Sequence, residues 1–185
     1  MRHLLLSLCL CLPLFSAAKA AENDYAFSAT KSTRIESAFS PDAGAEQLVL
    51  KAIDAAGHSL RVAAYSFTSA NVARALIRAK RRGVEVQVLV DESANQRKAN
   101  VAALNLLVNA DIPTRTIASY SLHHDKYIVV DSKTVQTGSF NYSAAAAKSN
   151  SENVLVVWNQ TELAQRYLQH WQNRWAQGDA YRSAY

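Results

Sequence analysis

His123-His124-Asp125-Lys126-Tyr127-Ile128-Val129-Val130-Asp131-Ser132-Lys133-Thr134-Val135-Gln136-Thr137-Gly138-Ser139-Phe140-Asn141 decides how the rest of the chain is read. Tyr127 to Val130 is aromatic and β-branched, so this part reads as a buried strand. Side chains along a strand alternate faces, which puts His124 and Lys126 on one side. His123, Asp125 and Asp131 stand an odd number of positions away and are expected to point elsewhere. Gly138 permits a tight turn or a close backbone approach, and Ser139 and Asn141, two apart, follow it. One surface then presents an imidazole, an ammonium, a hydroxyl and a carboxamide. That set suits the handling of phosphate.

Outward from this stretch, the chain begins with a leader. Arg2 supplies a positive start, Leu4 to Phe15 an apolar run, and Ala18-Lys19-Ala20 the small-x-small cleavage site of a secretory signal peptide over residues 1–20. The run is short for a bilayer, and an uncleaved anchor is the rival reading. Cys9 and Cys11 are the only cysteines and both lie in the leader, preceded by Leu8 and Leu10 where a lipoprotein site wants a small residue. The exported chain then has no disulfide and no thiolate metal site. The expected destination is the periplasm, or else the medium, with no stable membrane anchor after cleavage. Losing Arg2 and Lys19 with the leader lowers the formal charge from +5 to +3, a mild excess compatible with a polyanionic substrate. Residues 21–32 show no clear period and read as a loose arm. Residues 33–185 are expected to form a single domain with a proper core.

Within that domain, strands and helices alternate. A strand is expected over 34–39, then a helix from Asp42 or Ala43 with Leu48, Ala52, Ala55 and Ala56 inward, ending at Gly57. A strand over 60–67 leads to a helix capped by Ser69, with Val72, Leu76 and Ala79 inward and Gly83 as its stop. The β-branched run 84–90 reads as a central, parallel strand. A third helix from Ser93 or Ala94 to Asn109 carries Val101, Leu104, Leu107 and Val108. A short strand at 114–117 precedes the motif strand, and 154–158 is the last strand. A closing helix over 161–177 has Ala164, Leu168, Trp171 and Trp175 on one stripe. This order predicts an α/β fold, with a mixed, largely parallel β-sheet flanked by helices on both faces.

The ordered set His124-x-Lys126-x4-Asp131-x6-Gly138-Ser139-x-Asn141 resembles the signature of the phospholipase D superfamily, with every position filled. A core strand with an incidental histidine would account for His124 but not for the set. The length and layout are similar to the superfamily's small bacterial endonucleases, which carry one motif copy and work as homodimers. Glu152, in Ser151-Glu152-Asn153, falls where that family places a carboxylate behind the histidine. The resemblance covers most of the chain after about residue 30. It implies a phospholipase D/nuclease-like α/β sandwich and a metal-independent phosphodiesterase without a cofactor.

Cleaving a phosphodiester without a metal requires a strong nucleophile, positive charge on the phosphoryl oxygens and a proton for the leaving alkoxide. Histidine suits the first task because its ordinary pKa is about 6.5. His124 is expected to attack phosphorus and form a covalent phosphohistidine that water then hydrolyses. Lys126, Ser139 and Asn141 would bind the non-bridging oxygens, and Glu152 would hold the second ring nitrogen of His124. Asp131, on the wrong parity, would brace the strand or a neighbouring loop. One group cannot be both acid and base in a single step, and the chain has one His-x-Lys. His58, His123 and His170 lack the partner lysine. A homodimer with its active site at the two-fold interface follows. The expected substrate is nucleic acid, cut by a broad-specificity endonuclease acting on DNA, with RNA left open. The alternatives are a phosphatidyl or cardiolipin hydrolase and a catalytically dead nucleic-acid-binding module.

Other features have bland and functional readings. Arg74, Arg78, Arg81 and Arg82 share a helix face that could track a nucleic-acid backbone or simply be solvated. Trp171 and Trp175 are continuous with Leu168 and read as packing rather than base stacking. Asp91-Glu92-Ser93, where a parallel strand meets its helix, is either a substrate rim or a helix cap. His123-His124-Asp125 alternates faces and is a poor grip for one ion, so no metal is expected. His58 and His170 read as surface or core residues without a sequence partner.

Overall fold

The computed structural model describes residues 33–183, so the signal peptide and the 21–32 arm lie outside the described residues. The chain runs β1 (Arg34–Ser40), α1 (Ala45–Asp54), β2 (Ser59–Ala64), α2 (Ala70–Arg81) and β3 (Glu85–Asp91). A 3-10 turn (Ser93–Asn95) then leads into α3 (Lys98–Val108) and β4 (Thr114–Ile117). The motif forms β5 (Lys126–Val130) and β6 (Thr134–Gly138), followed by α4 (Ala144–Lys148), β7 (Glu152–Trp158), α5 (Thr161–Gln177) and β8 (Asp179–Ala180).

All eight strands form one sheet in the order β1-β7-β6-β5-β2-β3-β4-β8. The sheet is mixed, as expected, but not largely parallel. Only β2–β3 and β3–β4 pair in parallel, and the other neighbours are antiparallel. The cause is connection length. Helices α2 and α3 provide the long crossovers that parallel neighbours need, whereas only residues 131–133 separate β5 from β6, and so short a link returns the chain antiparallel. The strand read over Tyr127 to Val130 is the first arm of a hairpin, whose second arm, β6, the sequence reading does not foresee and whose turn places Asp131 and Ser132 at positive φ. β3 is central and parallel to both neighbours, as its β-branched run implies.

Helices cover both faces. Leu48, Val49, Ala52 and Ile53 of α1, Val72, Leu76 and Ala79 of α2, and Leu104 and Leu107 of α3 pack in one core with Ile128 and Val130. Tyr127 and Val129 turn to the opposite face and meet Ala164 and Trp171 of α5. The period-two alternation along β5 therefore sorts its side chains between two helical layers. Trp171 is buried, donates its Nε1–H to the Val62 carbonyl at 3.0 Å and stacks on Trp175 at 4.7 Å. The tryptophan stripe is packing.

The topology also fixes which end of the sheet does chemistry. Lys126 pairs with Ala64, and Gly138 with Val154, at the end where β2 and β3 finish. Helix α2 runs back from this end, so its C-terminal arginines lie at the other. There Arg78 and Arg82 reach Asp54 of α1, while Arg74, nearer the start of α2, bonds Asn71.

Candidate active site

His124 lies in the loop just ahead of β5 and is exposed, while Lys126, the first residue of β5, is buried. The Lys126 Nζ donates to the His124 carbonyl at 2.8 Å, so the two same-face residues are locked to each other. Tyr65, just past β2, holds both. Its ring meets the His124 ring edge-on at 4.6 Å and lies 5.1 Å from Lys126 Nζ. Burial pulls the Lys126 ammonium below its ordinary pKa, and the carboxylates of Asp125 and Glu152 push back. A phosphate arriving here would push in the same direction as those carboxylates.

Of the odd-numbered neighbours expected to point elsewhere, His123 turns inward, whereas Asp125 lines the cleft together with His124 and Lys126. His123 is buried, and its Nδ1 stands 3.5 Å from Asp125 Oδ2, which His170 Nε2 also meets at 3.0 Å. Burial lowers the His123 pKa, against the opposing pull of Asp125 and Asp91. His170 thus has a partner 45 residues away, which its sequence neighbours do not reveal. Asp131 sits at the far end of β5 and accepts the backbone N–H groups of Gly57, His58 and Ser59 at 3.0, 2.8 and 2.8 Å. It is a brace, as expected.

Gly138 ends β6 at φ 150°, and a Cβ there would strike the Asn153 carbonyl of β7. That close approach aims the next residues. Ser139 N–H donates to the Asn153 carbonyl at 3.2 Å, and Asn141 stands with its Oδ1 buried and unpartnered. Because amide oxygen and nitrogen exchange by a simple flip, Asn141 has an uncommitted carboxamide to offer. Ser139 differs from expectation. Its hydroxyl donates to Glu152 Oε2 at 2.5 Å and accepts from Asn153 N and Nδ2 at 3.0 and 3.2 Å. Glu152 also takes Asn150 Nδ2 at 3.0 Å. Within the chain these bonds, rather than the His124 ring, occupy its carboxylate. Ser139 therefore positions Glu152 in the described structure instead of presenting a free donor.

His124, Lys126, Gly138, Ser139, Asn141 and Glu152 line one cleft of about 420 Å3, so every predicted site residue but Asp131 is brought together. The cleft continues past His124 into a second, of about 490 Å3, walled by Leu163 and Tyr167 with Arg166 and His170 alongside. Among the described residues, no group of three or more His, Cys, Asp and Glu side chains is arranged to hold a metal ion.

Two supporting residues, Tyr65 and Asn95, escape sequence reasoning, and a third, Asp91, has partners that sequence reasoning does not name. Asp91, at the end of β3, takes the His123 N–H on Oδ2 at 2.8 Å, and the Ser93 hydroxyl and Ala94 N–H on Oδ1 at 2.7 and 2.8 Å. It thus braces the turn that follows β3 rather than capping α3, which starts only at Lys98, and it ties down the loop bearing His124. Asn95 donates to the carbonyls of Tyr65 and Asp91 at 2.6 and 2.7 Å and fixes the strand exit that carries Tyr65. The one signal available was position, since Tyr65 and Asp91 lie at the C-terminal ends of parallel strands.

Residues 49–175 match the family described as cardiolipin synthase, PLD-like domain. A phospholipase D of Rickettsia conorii is 39% identical over 150 residues, covering 81% of this chain and 74% of that protein. The mitochondrial cardiolipin hydrolase of Mus musculus is 32% identical over 131 residues, covering 71% of this chain and 58% of that protein. Among solved structures, Nuc of Salmonella typhimurium, a phospholipase D family member, superposes with a TM-score of 0.81 at 48% identity. That match covers 82% of this chain and 99% of the Nuc chain. The histidine cleft, the mixed sheet that frames it and these likenesses together place the chain in the phospholipase D superfamily, as a phosphodiester hydrolase.

Proposed function

We propose that the protein is an exported, metal-independent endonuclease that cleaves DNA through a covalent phosphohistidine on His124. The observation that carries this reading is the shape of the site. His124 sits partway along an open cleft that continues beyond it beside α5, as a passing polymer requires, and not at the bottom of a closed headgroup pocket.

The chemistry balances in two steps. The His124 ring attacks phosphorus, an N–P bond forms and the bond to the leaving oxygen breaks, and that oxygen takes a proton from a second histidine. Water then attacks phosphorus, gives its proton back to the second histidine and releases His124. Lys126 and the Asn141 carboxamide hold the non-bridging oxygens as charge grows there. The second histidine is His124 of a two-fold related copy, whose Glu152, already accepting from Ser139 and Asn150, orients the first ring across the interface through a remaining lone pair. Periplasmic export follows from the leader sequence.

A second reading has its own support. The relatives from Rickettsia and mouse carry lipid-hydrolase names, and the cleft beside α5 has apolar walls at Leu163 and Tyr167. Purified protein incubated in EDTA with plasmid DNA, and separately with cardiolipin vesicles, separates the two. Nicking of the plasmid without added metal, blocked by vanadate or tungstate as mimics of five-coordinate phosphorus, is the expected result. Hydrolysis of lipid with intact plasmid would reverse the assignment.

A further inference from the structure

A third cavity, of about 290 Å3, lies on the other side of Tyr65 from the reaction, lined by Tyr65, Ser66, Ser93, Ala94, Arg97 and Asn100. Its wall is the same tyrosine whose ring packs edge-on against His124, with ring centroids 4.6 Å apart. We propose that this cavity, formed by Arg97 and Ser66 beside Tyr65, is a subsite for the phosphate next to the scissile one in a polynucleotide. The assignment rests on the nuclease reading above and names how that substrate is held.

The donors are in place. Among the described residues the Arg97 guanidinium has no ion-pair or hydrogen-bond partner, although it is exposed and lines the cavity. A guanidinium fork matches two phosphate oxygens at once. Ser66 Oγ accepts the Asn100 amide at 3.3 Å, which leaves its own proton to be donated. Asn100 is itself fixed, since it also donates to Asn95 Oδ1 at 3.0 Å and to the Phe67 carbonyl at 3.3 Å. The floor of the cavity is therefore rigid. No carboxylate is among the residues that line the cavity. Arg97 and Lys98 also stand at the start of α3, with no acid in its first turn. Cations at the positive end of a helix dipole repel it, and a bound anion relieves both charges.

The class of ligand follows from count. A polynucleotide offers a phosphate at every residue, so a second phosphate always accompanies the one held at Lys126. An ordinary phospholipid has one phosphate and leaves Arg97 idle.

The test compares the full-length protein with its Arg97→Ala and Arg97→Lys variants on two esters. One is bis(p-nitrophenyl) phosphate, which has a single phosphate, and the other is a single-stranded oligodeoxynucleotide. Arg97→Ala should leave kcat/KM for the small ester unchanged and raise KM for the oligonucleotide about tenfold. The slope of log kcat/KM against log salt should become shallower by about one, and Arg97→Lys should recover part of the loss. An unchanged oligonucleotide KM and salt slope would overturn the subsite. Equal loss on both esters would overturn it too, by showing that Arg97 acts through the catalytic centre. Failure of the nuclease reading looks different, because wild-type protein would then hydrolyse the small ester and leave the oligonucleotide whole. If Arg97→Ala instead raised KM for two-phosphate cardiolipin but not for phosphatidylglycerol, the occupant would be a lipid and the polynucleotide assignment would fall.

Discussion

The carboxylate of Asp131 takes three backbone N–H groups, from Gly57, His58 and Ser59, at the end of β5 away from His124. Burial disfavours its charge, but those N–H groups outweigh burial and hold its pKa below the ordinary aspartate range. The folded pKa is thus lower than the unfolded one. The stabilisation is complete above the unfolded value of about 3.9 and is lost as pH falls through the lowered folded value. Asp131→Asn should cost roughly 1–3 kcal/mol near neutrality and flatten stability against pH in the acid range. Urea denaturation of both proteins across acidic pH measures this, and parallel pH curves would contradict it. Parity points Asp131 away from the site in the sequence, and the structure shows the cause to be its place in the β5–β6 turn at the far end of the strand. The same parity placed His124 with Lys126 and set His123 apart. What sequence could not show was the set of bonds made inside the cleft. Glu152 and Ser139 are 13 residues apart, and only the β6–β7 pairing reveals that they bond each other.

At the scale of elements, the hairpin β5–β6 and its neighbour β7 build the cleft, and Gly138 is the point where β6 and β7 come closest. An added methyl there meets a backbone carbonyl, which cannot swing aside as a side chain can, and the backbone angle disfavours any residue but glycine. Gly138→Ala should therefore cost roughly 1–3 kcal/mol and displace Ser139 and Asn141 together. Thermal denaturation together with kcat measures it. A variant with wild-type stability and activity would show that the approach is not required. The helices and the central strand β3 were legible because long periodic segments signal themselves through burial. The balance of parallel and antiparallel pairing was not, since it depends on a turn hidden in a continuous run. Ser132 and Lys133 carry no Gly or Pro to announce the reversal. The short elements α4 and β8 escaped for a related reason, as few residues give little period to read.

For the whole molecule, the question is where the second histidine comes from. His123 cannot supply it, being buried on the α5 face with its backbone N–H fixed to Asp91. His170 lines the cleft beside His124, but Asp125 holds its Nε2. The source we propose is the His124 of a second copy, because a two-fold axis would bring Lys126, Asn141 and Glu152 with it. Mixing decides between these sources. Wild type and inactive His124→Ala protein are combined at varying ratios under conditions that exchange subunits, and plasmid nicking in EDTA is followed. If each centre needs His124 from both copies, activity falls as the square of the wild-type fraction, so an equal mixture retains about a quarter of the wild-type rate. A linear fall, retaining half at equal mixture, would mean that one chain suffices, with His170 the acid that completes it.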